Sequence, residues 1–150
     1  MATADAAREL LKVRRMKMPA FVLLLSLAAA ACGGPLKYEV ASSARAPGAD
    51  AKIVAKVQKD QSLTQLEIEA VNLPPPGRVT DGATTYVVWH RKDSGGAWAR
   101  SGGLAYDESD RKGKWTGSVP ETSFDLTISA EKEATAASPS GETVFSQHVN

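Results

Sequence analysis

Apolar residues alternate with polar ones along much of the chain after residue 36. From residue 51 to residue 57 an apolar side chain stands at every second position, and the same period recurs from residue 66 to residue 70. This period is typical of a β-strand with one buried and one solvated face. The polar residues 60–62 separate the two segments, so we predict an antiparallel hairpin whose wet face carries lysine on one strand and glutamate on the other.

Further strand-like segments follow to the end of the chain, and none of them has the period of a long amphipathic helix. The predicted strands are residues 37–43, 51–59, 63–73, 84–92, 97–106, 114–119, 123–131 and 142–149. Short strands at this spacing are typical of a β-sandwich. We therefore predict an all-β fold, an Ig-like antiparallel β-sandwich of seven or eight strands in a domain of residues 37–150, with helix only before Cys32.

Proline and glycine predict how the strands are connected. Three consecutive prolines, residues 74–76, cannot donate to a sheet ladder, so we expect a rigid crossover between two sheets there. The composition of residues 93–96, Asp-Ser-Gly-Gly, is typical of a hairpin turn. Gly102 and Gly103 predict a bulge or bend in the strand that returns from this turn.

A different pattern precedes the sandwich. Residues 19–31 form an apolar run of 13 residues, in which Ala29, Ala30 and Ala31 stand directly before Cys32. A membrane-spanning helix needs about 20 apolar residues, whereas the apolar part of a secretory signal needs about 7–15. Because Arg14, Arg15 and Lys17 precede the run, we predict a signal peptide over residues 1–31.

The end of this segment resembles the signal of bacterial lipoproteins, Leu-(Ala/Ser)-(Gly/Ala)-Cys, with Ala29 in place of the leucine. The resemblance implies cleavage before Cys32, lipidation of Cys32 with fatty acids such as palmitate, and a lipidated tether of residues 32–36. Gly33, rather than aspartate, resembles the sorting pattern for the periplasmic face of the outer membrane. Met16 is a plausible start in place of Met1.

Two alternatives for the first 32 residues stay open. Residues 10–31 could form one uncleaved helix that ends in a free thiol. The adjacent Arg14 and Arg15 could belong to a twin-arginine export signal, although the surrounding residues lack the rest of that pattern.

Removal of the signal changes the charge and the cysteine chemistry of the protein. The whole chain has a net charge of +1, whereas residues 32–150 contain 13 basic and 15 acidic residues, a net charge of −2. A nucleic-acid-binding domain would need a strongly basic face, so we expect no nucleic-acid partner. Lipidation would use the only cysteine, which leaves no disulfide and no thiol nucleophile.

Five short segments of the domain from about residue 51 onward form a series: residues 73–76, 85–89, 104, 124–131 and 139–141. In this order they resemble the extracytoplasmic C-terminal domain of anti-sigma-K factor-type proteins. The resemblance implies a β-sandwich on the far side of a membrane. Members of that family also carry a cytoplasmic sigma-binding region and a spanning helix; residues 1–15 are too short for these, so sigma-factor regulation does not carry over.

The sequence offers little for catalysis or metal binding. His90 and His148 have no second ligand at zinc spacing, and we expect both at strand ends. The loop of residues 107–110 could offer oxygen ligands to calcium, but it lacks the pattern of an EF-hand, and a solvated polar turn is the preferred interpretation. No serine has the surroundings of a nucleophile elbow. We therefore predict no enzyme activity, no cofactor and no metal site.

The most specific feature is the hairpin of residues 84–92 and 97–106. A turn at Ser94 and Gly95 would place Trp89 opposite Arg100 and Arg91 opposite Trp98, all on one face of the sheet. Tyr86 and Val88 would then face the core; the opposite facing, with Trp89 buried, is an alternative. These four residues form either a cation–π-stabilised outer face or a partner-binding surface, because Trp and Arg are enriched at binding hot spots.

Three functions follow as hypotheses. The first is a non-enzymatic lipoprotein of the cell envelope, anchored to the membrane through Cys32, whose sandwich binds an envelope protein or a peptidoglycan-associated partner or serves structurally. The second is an extracytoplasmic sensor or regulatory domain related to anti-sigma factors. The third is a hydrolase with an unrecognised site that includes His90 and nearby carboxylates.

Overall fold

Alternating segments of the chain form two antiparallel sheets in the computed structural model, which describes residues 33–150. The first sheet, sheet A, has the strand order β1-β2-β3-β7-β6. Its strands are β1 (Leu36–Ala41), β2 (Asp50–Gln58), β3 (Leu63–Val71), β6 (Ala105–Asp107) and β7 (Lys112–Val119). The predicted hairpin of the first alternating segments is confirmed as β2 and β3, in which Ile53 pairs with Ile68.

The second sheet, sheet B, has the order β5-β4-β8-β9. Its strands are β4 (Thr85–Arg91), β5 (Ala99–Gly103), β8 (Phe124–Glu131) and β9 (Thr143–Val149). The inner faces of the two sheets share one hydrophobic core, to which sheet A contributes Ile53, Leu66 and Ile68, and sheet B contributes Tyr86 and Ile128. The predicted antiparallel β-sandwich is therefore confirmed, and residues 34–150 form one compact unit.

Residues 33–150 form nine strands rather than seven or eight, because the predicted strand of residues 97–106 divides into two. Its first half, β5, pairs with β4 in sheet B, and its second half, β6, pairs with β7 in sheet A. The division falls at Leu104, which is 5 % exposed and belongs to the core. The predicted bend at Gly102 and Gly103 lies directly before this change of sheet.

The crossover predicted at the three prolines is also confirmed, since it connects β3 of sheet A with β4 of sheet B. It contains a short helix, α1 (Pro76–Val79), that the sequence analysis did not predict. Pro76 occupies the first helical position, where its missing N–H costs nothing and its fixed φ suits the helix. The turn between β2 and β3 is a 3₁₀ turn (Lys59–Gln61), which ends at Ser62 in the left-handed region with φ 49°.

The outer face of sheet A is charged, as predicted for the β2–β3 hairpin. Glu39, Lys52, Glu69 and Lys114 lie side by side on four neighbouring strands, so charges of opposite sign alternate across the sheet. Lys114 Nζ lies 2.9 Å from Glu69 Oε1. This pair lowers the pKa of Glu69 and raises that of Lys114, but its contribution to stability is small because both side chains are exposed to water.

The predictions for residues 1–32, namely the signal peptide with its helix and the lipidated Cys32, lie outside the described residues. Within residues 33–150, every helix is too short or too polar to cross a membrane.

Candidate recognition surface

The predicted site lies at the turn between β4 and β5. Asp93 closes this turn: its carbonyl oxygen accepts a hydrogen bond from Gly96 N at 3.0 Å, and its Oδ1 accepts one from Gly95 N at 3.1 Å. The hairpin turn predicted at residues 93–96 is thus confirmed. A side chain that hydrogen-bonds its own backbone two residues on is a common way to fix a tight turn.

Arg91 and Trp98 meet across the base of this turn, as the predicted register required. The guanidinium carbon of Arg91 lies 4.4 Å from the centroid of the Trp98 ring, a cation–π contact. Arg91 Nε also donates a hydrogen bond to Asp125 Oδ2 at 3.0 Å. The guanidinium is thereby held between an aromatic ring and a carboxylate, and it stays partly accessible, with a side-chain exposure of 25 %.

Trp89 pairs with Arg100, which confirms the predicted register, but the two residues differ completely in exposure. Arg100 is exposed, whereas Trp89 is 0 % exposed and its Nε1 donates to Ser129 Oγ at 2.9 Å. Trp89 does not belong to the core between the sheets, which contains Tyr86 and Val88 as predicted. It therefore lies on the predicted outer face of sheet B, but buried there.

The expectation that all four residues present an accessible surface is thus wrong for Trp89. An indole can be buried at low cost when its N–H has a partner, and the Ser129 hydroxyl provides one. Alternation along the chain identifies the face of a strand, but it does not show whether that face is open to solvent. The accessible surface consists of Arg91, Trp98 and Arg100, which we call the hairpin surface.

Asp125 supports the hairpin surface from the neighbouring strand, and the sequence analysis did not identify it. Its Oδ1 lies 2.8 Å from His148 Nδ1, while Oδ2 accepts the hydrogen bond from Arg91. The hydrogen bond with His148, together with Arg91, holds the pKa of Asp125 below its usual value. Asp125 stands opposite both Arg91 and His148 on the neighbouring strands. Its role could have been predicted only by knowing that β8 lies between β4 and β9.

His90, the second histidine, lies on the inner side of β4. Its Nδ1 is 2.8 Å from Ser101 Oγ, and its ring packs edge-on against Phe124 with centroids 6.3 Å apart. Burial lowers the pKa of His90, and the charge of Glu121 opposes this shift only in part. A neutral imidazole at neutral pH follows. Residues 33–150 contain no group of three or more His, Cys, Asp or Glu side chains positioned to hold a metal ion.

Glu131 is a second residue that the sequence analysis missed, and it is 0 % exposed. Its carboxylate accepts hydrogen bonds from Ser140 N and Gly141 N at distances of 3.0 to 3.2 Å, and from Ser140 Oγ at 2.6 Å. Ser129 Oγ, which accepts from Trp89, donates to Glu131 as well. Burial alone would raise the pKa of Glu131, but these donors outweigh it and the pKa is lowered.

The polar loop of residues 107–110 forms a turn that uses its own carboxylate. Asp107 Oδ1 accepts hydrogen bonds from Ser109 N at 2.9 Å and from Asp110 N at 3.1 Å, and all three residues are exposed. These contacts fit the solvated polar turn that the sequence analysis preferred over a calcium loop.

Comparison of the chain with protein-family models, with curated proteins and with solved structures finds no match.

Proposed function

We propose that this protein is a lipid-anchored, non-enzymatic protein of the cell envelope whose β-sandwich recognises a partner through the hairpin surface. The observation that carries the proposal is the position of the first strand. β1 begins at Leu36, only four residues after Cys32, the one cysteine in the chain. A lipid on Cys32 would therefore hold a folded domain directly at the membrane.

The apolar run before Cys32 supports the same proposal, because its length suits a cleaved secretory signal better than a spanning helix. A multiply acylated terminus binds membranes stably, whereas one short chain does not. Gly33 favours the periplasmic face of the outer membrane as the location. The alternative of an uncleaved helix with a free thiol predicts a different mass and no lipid.

Recognition rather than catalysis is supported by how the titratable side chains of sheet B are used. The two carboxylate oxygens of Asp125 are hydrogen-bonded to Arg91 and His148, and the carboxylate of Glu131 accepts hydrogen bonds from the loop between β8 and β9. Arg91 and Trp98, by contrast, are held in a fixed geometry while remaining partly accessible. Preorganised Trp and Arg side chains are the residue types that contribute most at binding surfaces.

The first test is metabolic labelling with an alkyne analogue of palmitate in a bacterial host, with wild type compared with Cys32→Ala. We expect label on the wild type alone. Intact-mass measurement of the labelled protein should show the loss of residues 1–31 and the gain of acyl groups. Ser26→Ala, within the same apolar run, is the control and should be labelled like the wild type. Equal labelling of the wild type and Cys32→Ala would overturn the proposal.

A further inference from the structure

The two ends of the sandwich differ in charge. We call the end where β1 begins the tether end; it consists of residues 33–37, 56–63, 91–100, 120–125 and 148–150. These segments contain six basic and four acidic residues, a net charge of +2. The basic residues are Lys37, Lys56, Lys59, Arg91, Lys92 and Arg100.

The opposite end has the reverse charge. It consists of residues 42–50, 72–84, 107–112 and 131–142, which contain five basic and eight acidic residues, a net charge of −3. Strand pairing fixes the assignment of both ends: Leu36 pairs with Ala55 at one end of sheet A, and Ala41 pairs with Asp50 at the other. The net charge of the domain therefore changes from positive at the tether end to negative at the opposite end, along the direction of the strands.

The short chain between Cys32 and β1 limits the distance between Cys32 and the basic end. Only residues 33–35 separate Cys32 from Leu36. Four residue steps extend to about 14 Å at most, which is less than the length of a typical strand. A lipid on Cys32 would therefore keep the tether end close to the membrane surface, and the acidic end far from it.

The hairpin surface belongs to this same end. Arg91 pairs with Asp125 at the beginning of β8, and His90 pairs with Ala99 at the beginning of β5, so the turn between β4 and β5 points toward the tether end. Lys92 and Arg100 are exposed beside the half-buried ring of Trp98. Tryptophan is enriched at membrane–water interfaces, and anionic headgroups attract nearby basic residues.

We propose that the partner of the hairpin surface is the anionic lipid surface to which the protein is tethered, with Trp98 at the interface and Lys92 and Arg100 near the headgroups. This inference rests on the proposed function, because the anchor at Cys32 supplies the proximity. Each basic residue near an anionic surface favours docking about fivefold, and this attraction declines within a Debye length of about 8 Å at physiological salt.

The test couples the full chain through the Sγ atom of Cys32 to vesicles that contain a maleimide-headgroup lipid. The anchor is then present whether or not a cell acylates the residue. Phosphatidylcholine vesicles are compared with vesicles that also contain phosphatidylglycerol, both with brominated acyl chains that quench nearby tryptophan. Trp98→Phe identifies the contribution of Trp98, since the chain has two other tryptophans.

We expect Trp98 to be quenched more strongly on the anionic vesicles, and 0.5 M NaCl to remove the difference. Lys92→Glu should lower the ratio of docked to undocked protein by about fivefold or more. Lys132→Glu is the matched control, an exposed lysine at the acidic end with the same change in charge, and it should leave the ratio unchanged.

Equal quenching on the two kinds of vesicle would overturn the inference, and so would an equal effect of Lys92→Glu and Lys132→Glu. Either result would leave the palmitate labelling of Cys32 untouched. Conversely, loss of that labelling would remove the proposed function while the vesicle experiment still measured docking.

Discussion

At the scale of single residues, Glu131 shows how a buried carboxylate can be kept ionised without a cation beside it. Four donor groups from Ser129, Ser140 and Gly141 converge on its two oxygens. Hydrogen bonds to a charged group contribute about 1.5–3 kcal/mol each to stability. Because three of the four donor groups belong to Ser140 and Gly141 in the loop between β8 and β9, the carboxylate fixes that loop to sheet B.

Glu131→Gln should therefore destabilise the domain by about 1–3 kcal/mol at pH 7. The amide NH₂ of glutamine would face the N–H and O–H groups that now donate to the carboxylate, and a donor cannot bond to a donor. The folded-state pKa of Glu131 is lowered, so the unfolded chain binds more protons in acid. Its stabilisation is complete above the unfolded pKa of about 4.3 and is lost as the pH falls through the folded pKa.

Urea denaturation of wild type and Glu131→Gln at several pH values between 3 and 7 measures this effect. The difference in free energy of unfolding between the two proteins should shrink in acid. Glu133→Gln, exposed and two residues further on, is the control and should stay within about 0.5 kcal/mol of the wild type. A difference that stays constant with pH would contradict the role of the charge.

At the scale of elements, alternation in the sequence predicted where the strands lie, but it did not predict which strand faces other segments cover. Phe124, Leu126 and Ile128 face the core as their alternation required, but Thr127, Ser129 and Glu131 on the other face of β8 are buried too. A polar residue at every second position predicts a solvated face only if no other segment covers it. Trp89 was misjudged for the same reason, on the neighbouring strand.

The order of the strands within each sheet could not be predicted from the sequence either. Asp125 supports Arg91 only because β8 lies beside β4, and 33 residues separate the two positions along the chain. Local hairpins such as β2–β3 and β4–β5 could be predicted, because short turns with recognisable residues connect them. Neighbours that are distant in sequence are selected by how the whole core packs, which a single sequence does not display.

The close approach between β5 and β7 gives the prediction at this scale. A Cβ atom at Gly102 would lie 2.5 Å from Trp115 Nε1, whereas a Cβ atom at the adjacent Gly103 would meet nothing within 4 Å. The half-buried indole of Trp115 packs against the core, so it cannot retreat freely. Gly102→Ala should cost about 1–3 kcal/mol through overpacking, and Gly103→Ala less than about 1 kcal/mol.

Urea midpoints of the two alanine variants measure this difference, and a double-mutant cycle identifies its cause. In a Trp115→Leu background the cost of Gly102→Ala should largely disappear, because the atoms it would strike are gone. Equal costs for Gly102→Ala and Gly103→Ala would contradict the steric explanation and favour a general loss of backbone freedom in β5.

At the scale of the whole molecule, the decisive feature is that both sheets bury their inner faces in one core. Ile68 of β3 and Ile128 of β8 belong to the same cluster, and each lies on a strand with neighbours on both sides. Within residues 33–150, the inner faces of both sheets belong to this one hydrophobic cluster. We therefore expect residues 34–150 to unfold in one cooperative step, although the chain crosses between the sheets several times.

Native-state hydrogen exchange on the full chain tests this cooperativity. The slowest amides of β3 and of β8 should open with the same free energy, equal to the free energy of global unfolding.

Ile68→Val, a deletion of one methyl group from sheet A, should lower the opening free energy of the β8 amides by about 0.5–1.5 kcal/mol, as much as that of the β3 amides. Val54→Ala, on the partly exposed outer side of β2, serves as the comparison for a substitution outside the core. If Ile68→Val changed the opening free energy of β3 alone, the two sheets would be separate folding units, because amides that exchange through one global unfolding step must all report the same change.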